Sequence, residues 1–163
     1  MARCLVSWLD SDMSNDESNN DLLPASQRGQ IPLWTLLQVE DNPANASLVE
    51  ELISRRSELK IITATKGYQG VEMARSHKPD VILMDINLSD INGFDVLRIL
   101  SNDPVTAHIP VIAVSSDAHP SQITDGLAAG FFRYLTKPYK IEVFMATIDI
   151  ALAHVKKSRP KSI

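Results

Sequence analysis

The sequence has a single cysteine, Cys4, among its 163 residues. One thiol excludes an internal disulfide framework, which fits a protein of the reducing cytosol. No apolar run approaches the roughly 20 residues that a membrane-spanning helix needs. The apolar start from Cys4 to Leu9 is too short for a signal peptide and lacks a cleavage pattern. We therefore expect a soluble, cytoplasmic protein without a membrane partner.

An excess of charge of one sign is also missing. The formal net charge is -4, from 16 basic and 20 acidic residues, whereas a general nucleic-acid binder is usually basic. We therefore expect no direct nucleic-acid partner. Apolar residues make up 44% of the chain, an ordinary share for a globular protein. A length of 163 residues suffices for one domain with a real core rather than for two.

The composition changes near both ends of the chain. Residues 11–21 are almost entirely Ser, Asn, Asp and Glu, and two prolines and a glycine follow within a few residues. Such a stretch buries too little apolar surface to offset its ordering entropy, so residues 1–33 are predicted to be a flexible N-terminal segment. A basic tail over 155–163 is expected to be solvated. One domain over 34–154 remains between them.

Strand-like and helix-like segments alternate through this domain. The predicted strands are apolar runs over 35–39, 59–64, 81–84, 110–114 and 132–135. Apolar residues at i, i+3 and i+4 predict helices over 44–56, 68–76, 93–100, 120–129 and 140–153. The third and fourth runs lack alternation, as is typical of parallel strands buried on both faces. The pattern predicts an α/β domain with one doubly wound, five-stranded parallel sheet and helices on both faces.

The helical periodicity also predicts which side chains face the core. In the first, fourth and fifth helices the predicted inward residues are Leu48, Leu52 and Ile53, then Ile123, Leu127 and Ala128, then Val143, Phe144, Ile148, Ala151 and Leu152. Gly130 follows the fourth helix as an expected left-handed cap. Pro43 and Pro120 suit the first turns of their helices.

Polar residues directly follow four of the predicted strands. Glu40 and Asp41 come after the first strand, Asp85 after the third, Ser115 after the fourth and Lys137 after the fifth. Because parallel strands end at one edge of a sheet, we expect these side chains to converge there. That edge is where open α/β sheets bind ligands.

Carboxylates, a hydroxyl and an ammonium group in one place suit phosphoryl chemistry. Close carboxylates repel one another unless a cation relieves them, and Mg²⁺ prefers such oxygen ligands. A carboxylate beside the ion can act as a nucleophile toward phosphorus, while Lys137 and Ser115 stabilise the phosphoryl oxygens. Taken singly, each residue fits an ordinary loop or helix cap. Their order at the ends of the correct strands makes coincidence a poor explanation.

The stretch from Leu36 to Leu152 resembles the receiver domain of two-component response regulators, the CheY-like family. The resemblance is carried by four motifs, Val39-Glu40-Asp41-Asn42-Pro43, Leu83-Met84-Asp85-Ile86-Asn87, Val111-Ile112-Ala113-Val114-Ser115 and Tyr134-Leu135-Thr136-Lys137-Pro138. It implies the flavodoxin-like strand order 2-1-3-4-5.

The resemblance assigns roles to the residues of the site. It implies that Asp85 is the phosphoacceptor and that Asp41 and Asp85 bind Mg²⁺ or Mn²⁺ directly. The backbone carbonyl of Asn87 would complete the metal site, and Glu40 would reach the ion through water. The family's site lysine corresponds to Lys137, in a Lys–Pro bond that is often cis.

The resemblance further implies a conformational switch. Ser115 would move its hydroxyl to the phosphoryl group, and Tyr134 would turn inward as the aromatic switch. The surface formed by 120–129, 132–135 and 140–153 would then be remodelled and meet a partner.

The implied donor is a sensor histidine kinase or a histidine phosphotransfer domain, and the downstream protein is unknown. Since the chain modifies only itself, we expect a signalling domain rather than an enzyme. Without a recognisable output domain, we expect a single-domain regulator or the terminal receiver of a hybrid histidine kinase. Two alternatives stay open. One is a phosphorylation-independent interaction module. The other is a phosphatase with an aspartyl nucleophile, a class that requires Asp-x-Asp after its first strand, whereas Asp85 here follows the third strand.

Overall fold

The structure is a computed structural model that describes residues 34–159. The predicted flexible segment over 1–33 and the last residues of the predicted basic tail, 160–163, lie outside the described residues.

Five strands alternate with five helices along this part of the chain. The strands are β1 (Trp34–Val39), β2 (Leu59–Ala64), β3 (Val81–Asp85), β4 (Val111–Ser115) and β5 (Arg133–Thr136). The helices are α1 (Pro43–Ser54), α2 (Gly67–His77), α3 (Gly93–Ser101), α4 (Pro120–Ala129) and α5 (Ile141–Ser158). All paired strands are parallel, in the order β2-β1-β3-β4-β5. The predicted doubly wound fold and its strand order are confirmed.

The sheet separates two apolar clusters. One cluster packs α1 and α5 against one face, and the other packs α2 and α3 against the opposite face. Successive residues of a strand point to opposite faces, so Leu36 belongs to the first cluster and its neighbour Leu37 to the second. Both faces of the central strands are therefore buried, which explains the unbroken apolar runs in the sequence.

Helix α4 packs in a different phase from the predicted one. Its buried residue is Gly126, whereas Leu127, predicted to face inward, is 47% exposed and Ala128 is also exposed. Successive residues of a helix point about 100° apart. The approach of Gly126 to the ring of Tyr134 therefore turns Leu127 toward solvent.

The same one-residue difference affects α1 and α5. Leu48 is 51% exposed while its neighbour Val49 is buried, and Val143 is exposed while Phe144 is buried. The other predicted inward residues of these two helices are buried. Periodicity therefore predicted the inward residues of these two helices correctly except for the first one in each, Leu48 and Val143, which are exposed.

Helix α5 continues to Ser158, so the first four residues of the predicted tail are helical. The Arg159 guanidinium lies 4.5 Å from the ring centroid of Trp34 and donates to Asp80. Asp80 also accepts a 2.7 Å hydrogen bond from the backbone N–H of Thr35. Through these contacts of Arg159 and Asp80, the end of α5 packs against the start of β1. Within residues 34–159, no helix is both long and apolar enough to cross a membrane.

Asp90, in the loop after β3, caps α2 from a distant part of the sequence. Its carboxylate accepts hydrogen bonds from the backbone N–H groups of Gly67, at 2.9 Å, and Tyr68, at 3.1 Å. The local N-cap residue, Lys66, makes no such bond with its side chain. Burial opposes ionisation of Asp90, but the backbone donors outweigh it and lower the pKa of the carboxyl.

We expect Asp90→Ala to lower the free energy of unfolding by about 1 kcal/mol at neutral pH, the usual cost of a lost cap. Because the folded-state pKa of Asp90 is lowered, this stabilisation is present above the unfolded value of about 3.9. It is lost as the pH falls through the folded value. Urea unfolding across the acid range measures the difference. Asp125→Ala is the control, since Asp125 is exposed and its side chain makes no hydrogen bond or ion pair within residues 34–159. An equal loss of unfolding free energy in Asp90→Ala and Asp125→Ala would contradict the assignment of Asp90 as the cap of α2.

Candidate functional site

Three carboxylates meet where β1 and β3 end side by side. Val39 pairs with Met84 across these strands, so Glu40 and Asp85 follow at the same level. One carboxylate oxygen from each of Glu40, Asp41 and Asp85 lies within 4.8 Å of the others. Glu40 is 6% exposed and Asp85 is 7% exposed. Such crowding of buried negative charge requires cations.

Lys137 supplies one cation. Its Nζ donates to Glu40 Oε2 at 2.9 Å and to Asp85 Oδ2 at 3.0 Å. Burial favours the neutral amine, but the two carboxylates outweigh it and raise the pKa of Lys137. The lysine is therefore a fixed ammonium group at neutral pH. The Lys137–Pro138 peptide bond after it is cis, the form that the resemblance implied.

Backbone donors orient the other oxygens of the two buried carboxylates. The N–H of Asn87 donates to Asp85 Oδ1 at 2.9 Å, and the N–H of Asn42 donates to Glu40 Oε1 at 3.0 Å. Glu40 and Asp85 are thus each held at both oxygens. Asp41 is partly exposed, and its carboxylate has no ion pair or hydrogen bond among the described residues. Its oxygens are available to a ligand.

The donor set fits a divalent cation. Within residues 34–159, three carboxylates face a single ammonium group, so this cluster keeps a net negative charge. Carboxylate and carbonyl oxygens are the ligands that Mg²⁺ prefers, usually with several retained waters. The hydrogen bond from Asn87 to Asp85 brings the backbone of residue 87 next to the cluster. These residues suit Mg²⁺, and Mn²⁺ is bound by the same type of oxygen ligand.

Ser115 lies at the same edge of the sheet. It ends β4, where Val114 pairs with Asp85, and it is buried. Its Oγ accepts a 3.1 Å hydrogen bond from the N–H of Asp117. Its carbonyl accepts a 2.7 Å hydrogen bond from the N–H of Lys137, which connects the hydroxyl-bearing strand end to the lysine.

Tyr134 lies on β5, where it pairs with Ala113 of β4. Its ring packs between Gly126 of α4 and the apolar cluster that contains α2 and α3. The hydroxyl oxygen is buried and has no hydrogen-bond partner among residues 34–159. The structure therefore places the predicted switch tyrosine on the inner side of α4.

A cavity of about 380 Å³ opens beside the carboxylates. Its polar end includes Glu40, Asp85 and Lys137, and its apolar wall includes Phe144. The ring of Tyr139 also lines it and stacks on Phe144, with 5.1 Å between ring centroids. Burial raises the pKa of the Tyr139 phenol. The cavity therefore places a partly charged and partly apolar surface beside Asp85.

Three residues that shape this region have no role in the site predicted from the sequence. Gln38 is buried and donates from Nε2 to the carbonyl of Ala46 at 3.3 Å. Asn42 caps α1 by accepting hydrogen bonds from the backbone N–H groups of residues 44 and 45. Tyr139 completes the cavity wall. Available signals were the amide of Gln38 within an apolar strand, and the aromatic residue directly after the Lys–Pro pair.

Comparisons with known proteins agree on one family. Residues 36–149 match the family model described as the response regulator receiver domain. Protein PilH of Pseudomonas aeruginosa is 36% identical over 118 residues, which cover 72% of this chain and 97% of that protein. The polar-differentiation response regulator DivK of Brucella anthropi is 36% identical over 114 residues, covering 70% and 92% of the two chains.

A solved structure extends the comparison to three dimensions. The receiver domain of a sensor histidine kinase from Pseudomonas aeruginosa PAO1, with magnesium coordinated in its active-site cleft, is 27% identical and aligns with a TM-score of 0.68. The alignment covers 74% of this chain and 98% of that domain. With its family match, its relatives, its strand order and its acidic strand ends, this chain belongs to the response regulator receiver domain family.

Proposed function

We propose that this chain is a phosphoacceptor of a two-component phosphorelay. In this function Asp85 takes a phosphoryl group from the phosphohistidine of a sensor histidine kinase or a histidine phosphotransfer domain. The observation that carries the proposal is the contact of Lys137 Nζ with Asp85, at 3.0 Å, beside the uncompensated carboxylate of Asp41. A buried nucleophile, a fixed cation and an open acidic position are what phosphoryl transfer needs.

In the proposed reaction an Asp85 oxygen attacks phosphorus and the phosphorus–nitrogen bond of the donor breaks. The imidazole leaves with the electron pair of that bond, and Asp85 becomes an acyl phosphate. Lys137 neutralises a phosphoryl oxygen, and the Ser115 hydroxyl donates to another. Later attack of water on phosphorus releases inorganic phosphate and returns the carboxylate.

A divalent cation would be held directly by Asp41, Asp85 and the backbone carbonyl of Asn87, and through water by Glu40. When bound, it supplies positive charge that offsets the charge of the phosphoryl oxygens. Glu40 and Asp85 both pair with Lys137, whereas the Asp41 carboxylate has no ion pair or hydrogen bond among the described residues, which supports Asp41 as a direct ligand.

The response would pass to the α4–β5–α5 face, the surface formed by these three elements. Its helices expose large apolar side chains, including Leu127, Ile141 and Val143. A contiguous exposed apolar patch is typical of a surface that meets a partner, and these side chains would contribute to one. Ser115 and Tyr134 would link this face to Asp85, because they lie on β4 and β5, between the acceptor strand and α4.

The test is the intact mass of the chain after incubation with acetyl phosphate, with and without Mg²⁺. We expect one phosphoryl group per chain, dependent on the ion and removed by hydroxylamine, which cleaves acyl phosphates. In a parallel assay, turnover of a generic phosphate ester over many cycles per chain would favour the phosphatase alternative, whereas a single stoichiometric load would favour the receiver. No adduct from acetyl phosphate or from a phosphorylated histidine kinase would favour the phosphorylation-independent interaction module.

A further inference from the structure

Helix α4 approaches the Tyr134 ring of β5 closely at Gly126. A Cβ atom built at this position lies 2.7 Å from Cδ2 and 2.9 Å from Cε2 of Tyr134, closer than real Cβ contacts allow. Both near atoms belong to a ring, which cannot bend away as a flexible side chain could. The present positions of α4 and the ring therefore require glycine at residue 126.

Two opposing effects act on the Tyr134 ring in its inner position, which is the side of α4 that faces the apolar cluster. The ring packs against the apolar cluster on the side of α2 and α3, but its hydroxyl is buried without a hydrogen-bond partner in the part of the chain that the structure describes. Burying an unpaired hydroxyl is unfavourable. Packing and desolvation thus oppose each other, and added volume beside the ring would further disfavour the inner position.

We propose that Gly126 is a positioning residue that determines how readily Tyr134 occupies its inner position. A larger residue at 126 displaces either the ring or α4, and both belong to the α4–β5–α5 face. Residue 126 thereby tunes the conformational response of this face. This regulatory role rests on the proposed function, since ring position matters for signalling only if phosphoryl transfer shifts it.

The first test is a double-mutant cycle by thermal unfolding of the full chain without phosphoryl donor. Alanine is the better helix former, so Gly126→Ala should raise Tm in a Tyr134→Ala background, where the ring is absent. In the wild-type background it should lower Tm. Equal Tm changes in the two backgrounds would overturn the proposal. Failure of Gly126→Ala to fold in both backgrounds would overturn it too, because the methyl group would then clash with something other than the ring.

Two further variants separate the ring from other effects. Tyr134→Phe keeps the ring and removes the unpaired hydroxyl, so we expect a higher Tm and an unchanged sensitivity to Gly126→Ala. Ala128→Gly alters an exposed residue of the same helix and should change Tm equally in the backgrounds with and without the ring. A loss of sensitivity in the phenylalanine background would assign the coupling to the hydroxyl and contradict the proposal.

The regulatory consequence is tested with beryllofluoride, a mimic of the phosphoryl group. We expect Gly126→Ala to bind it with Mg²⁺ about fivefold or more weakly, the lower range of typical coupling between sites. If Gly126→Ala leaves the affinity for beryllofluoride unchanged while the double-mutant cycle gives a non-zero coupling, the contact between residue 126 and the Tyr134 ring stands. The regulatory role is then overturned. If the wild type binds no beryllofluoride and takes up no phosphoryl group, the proposed function fails. The double-mutant cycle by thermal unfolding still tests the contact between Gly126 and Tyr134.

Discussion

Asp85→Asn is expected to take up no detectable phosphoryl group under conditions that load the wild type to one group per chain. The substitution is isosteric, and the amide oxygen of asparagine can still accept the hydrogen bond from the N–H of Asn87. The fold should therefore persist. The nucleophilic carboxylate is removed, however, and a neutral amide cannot replace it toward phosphorus. Intact mass after incubation with acetyl phosphate and Mg²⁺ measures the loss.

Two other aspartates distinguish an acceptor from its neighbours. Asp41→Asn keeps the acceptor but removes a proposed metal ligand, so uptake should slow and recover in part at higher Mg²⁺. Asp117→Asn is the matched control, because Asp117 accepts a hydrogen bond from the N–H of His119 that asparagine can also accept. It should load like the wild type. Uptake by Asp85→Asn together with none by Asp41→Asn would make Asp41 the acceptor and refute the assignment.

The location of the acidic cluster could be predicted because it follows from the sheet alone. Parallel strands end at a common edge, so apolar runs followed by polar residues are enough to bring Glu40, Asp85 and Ser115 together. The paired strand ends in the structure have this arrangement. The order of the five strands needed the resemblance, since alternation of strands and helices allows more than one order.

The packing of α4 could not be predicted, because it depends on a contact between distant residues. Periodicity gives a stripe of apolar positions but leaves its phase free by about one residue when the stripe is broad. In α4 the phase follows from the ring of Tyr134 against Gly126, and glycine carries no signal in an apolar pattern. The cap of α2 by Asp90 is equally non-local, because 23 residues separate the carboxylate from Gly67.

Lys137→Met is expected to lower the free energy of unfolding by about 3 kcal/mol at neutral pH and low Mg²⁺, the lower end of the cost of removing one partner of a buried ion pair. Methionine keeps most of the length of the side chain but leaves Glu40 and Asp85 buried without a cation. Lys140→Met is the control, because Lys140 is exposed and its side chain makes no capping bond at α5. Urea unfolding of both variants gives the comparison.

The pH dependence of this loss has a definite sign. The pKa of Lys137 is raised in the folded chain, so its stabilisation is fully present below the unfolded value of about 10.4 and is lost as the pH rises through the folded value. The wild type should therefore lose stability in the alkaline range relative to Lys137→Met, and the two unfolding curves should converge there. A difference that grows with pH would contradict the ion pair as its cause.

Mg²⁺ should compensate for the missing ammonium group. Without Lys137 the three carboxylates carry more uncompensated negative charge, so a divalent cation should bind more tightly and raise Tm further in Lys137→Met than in the wild type. Lys140→Met should respond to Mg²⁺ like the wild type. An equal rise of Tm in all three chains would mean that the ion binds elsewhere, and the metal site assigned to Asp41 and Asp85 would have to be abandoned.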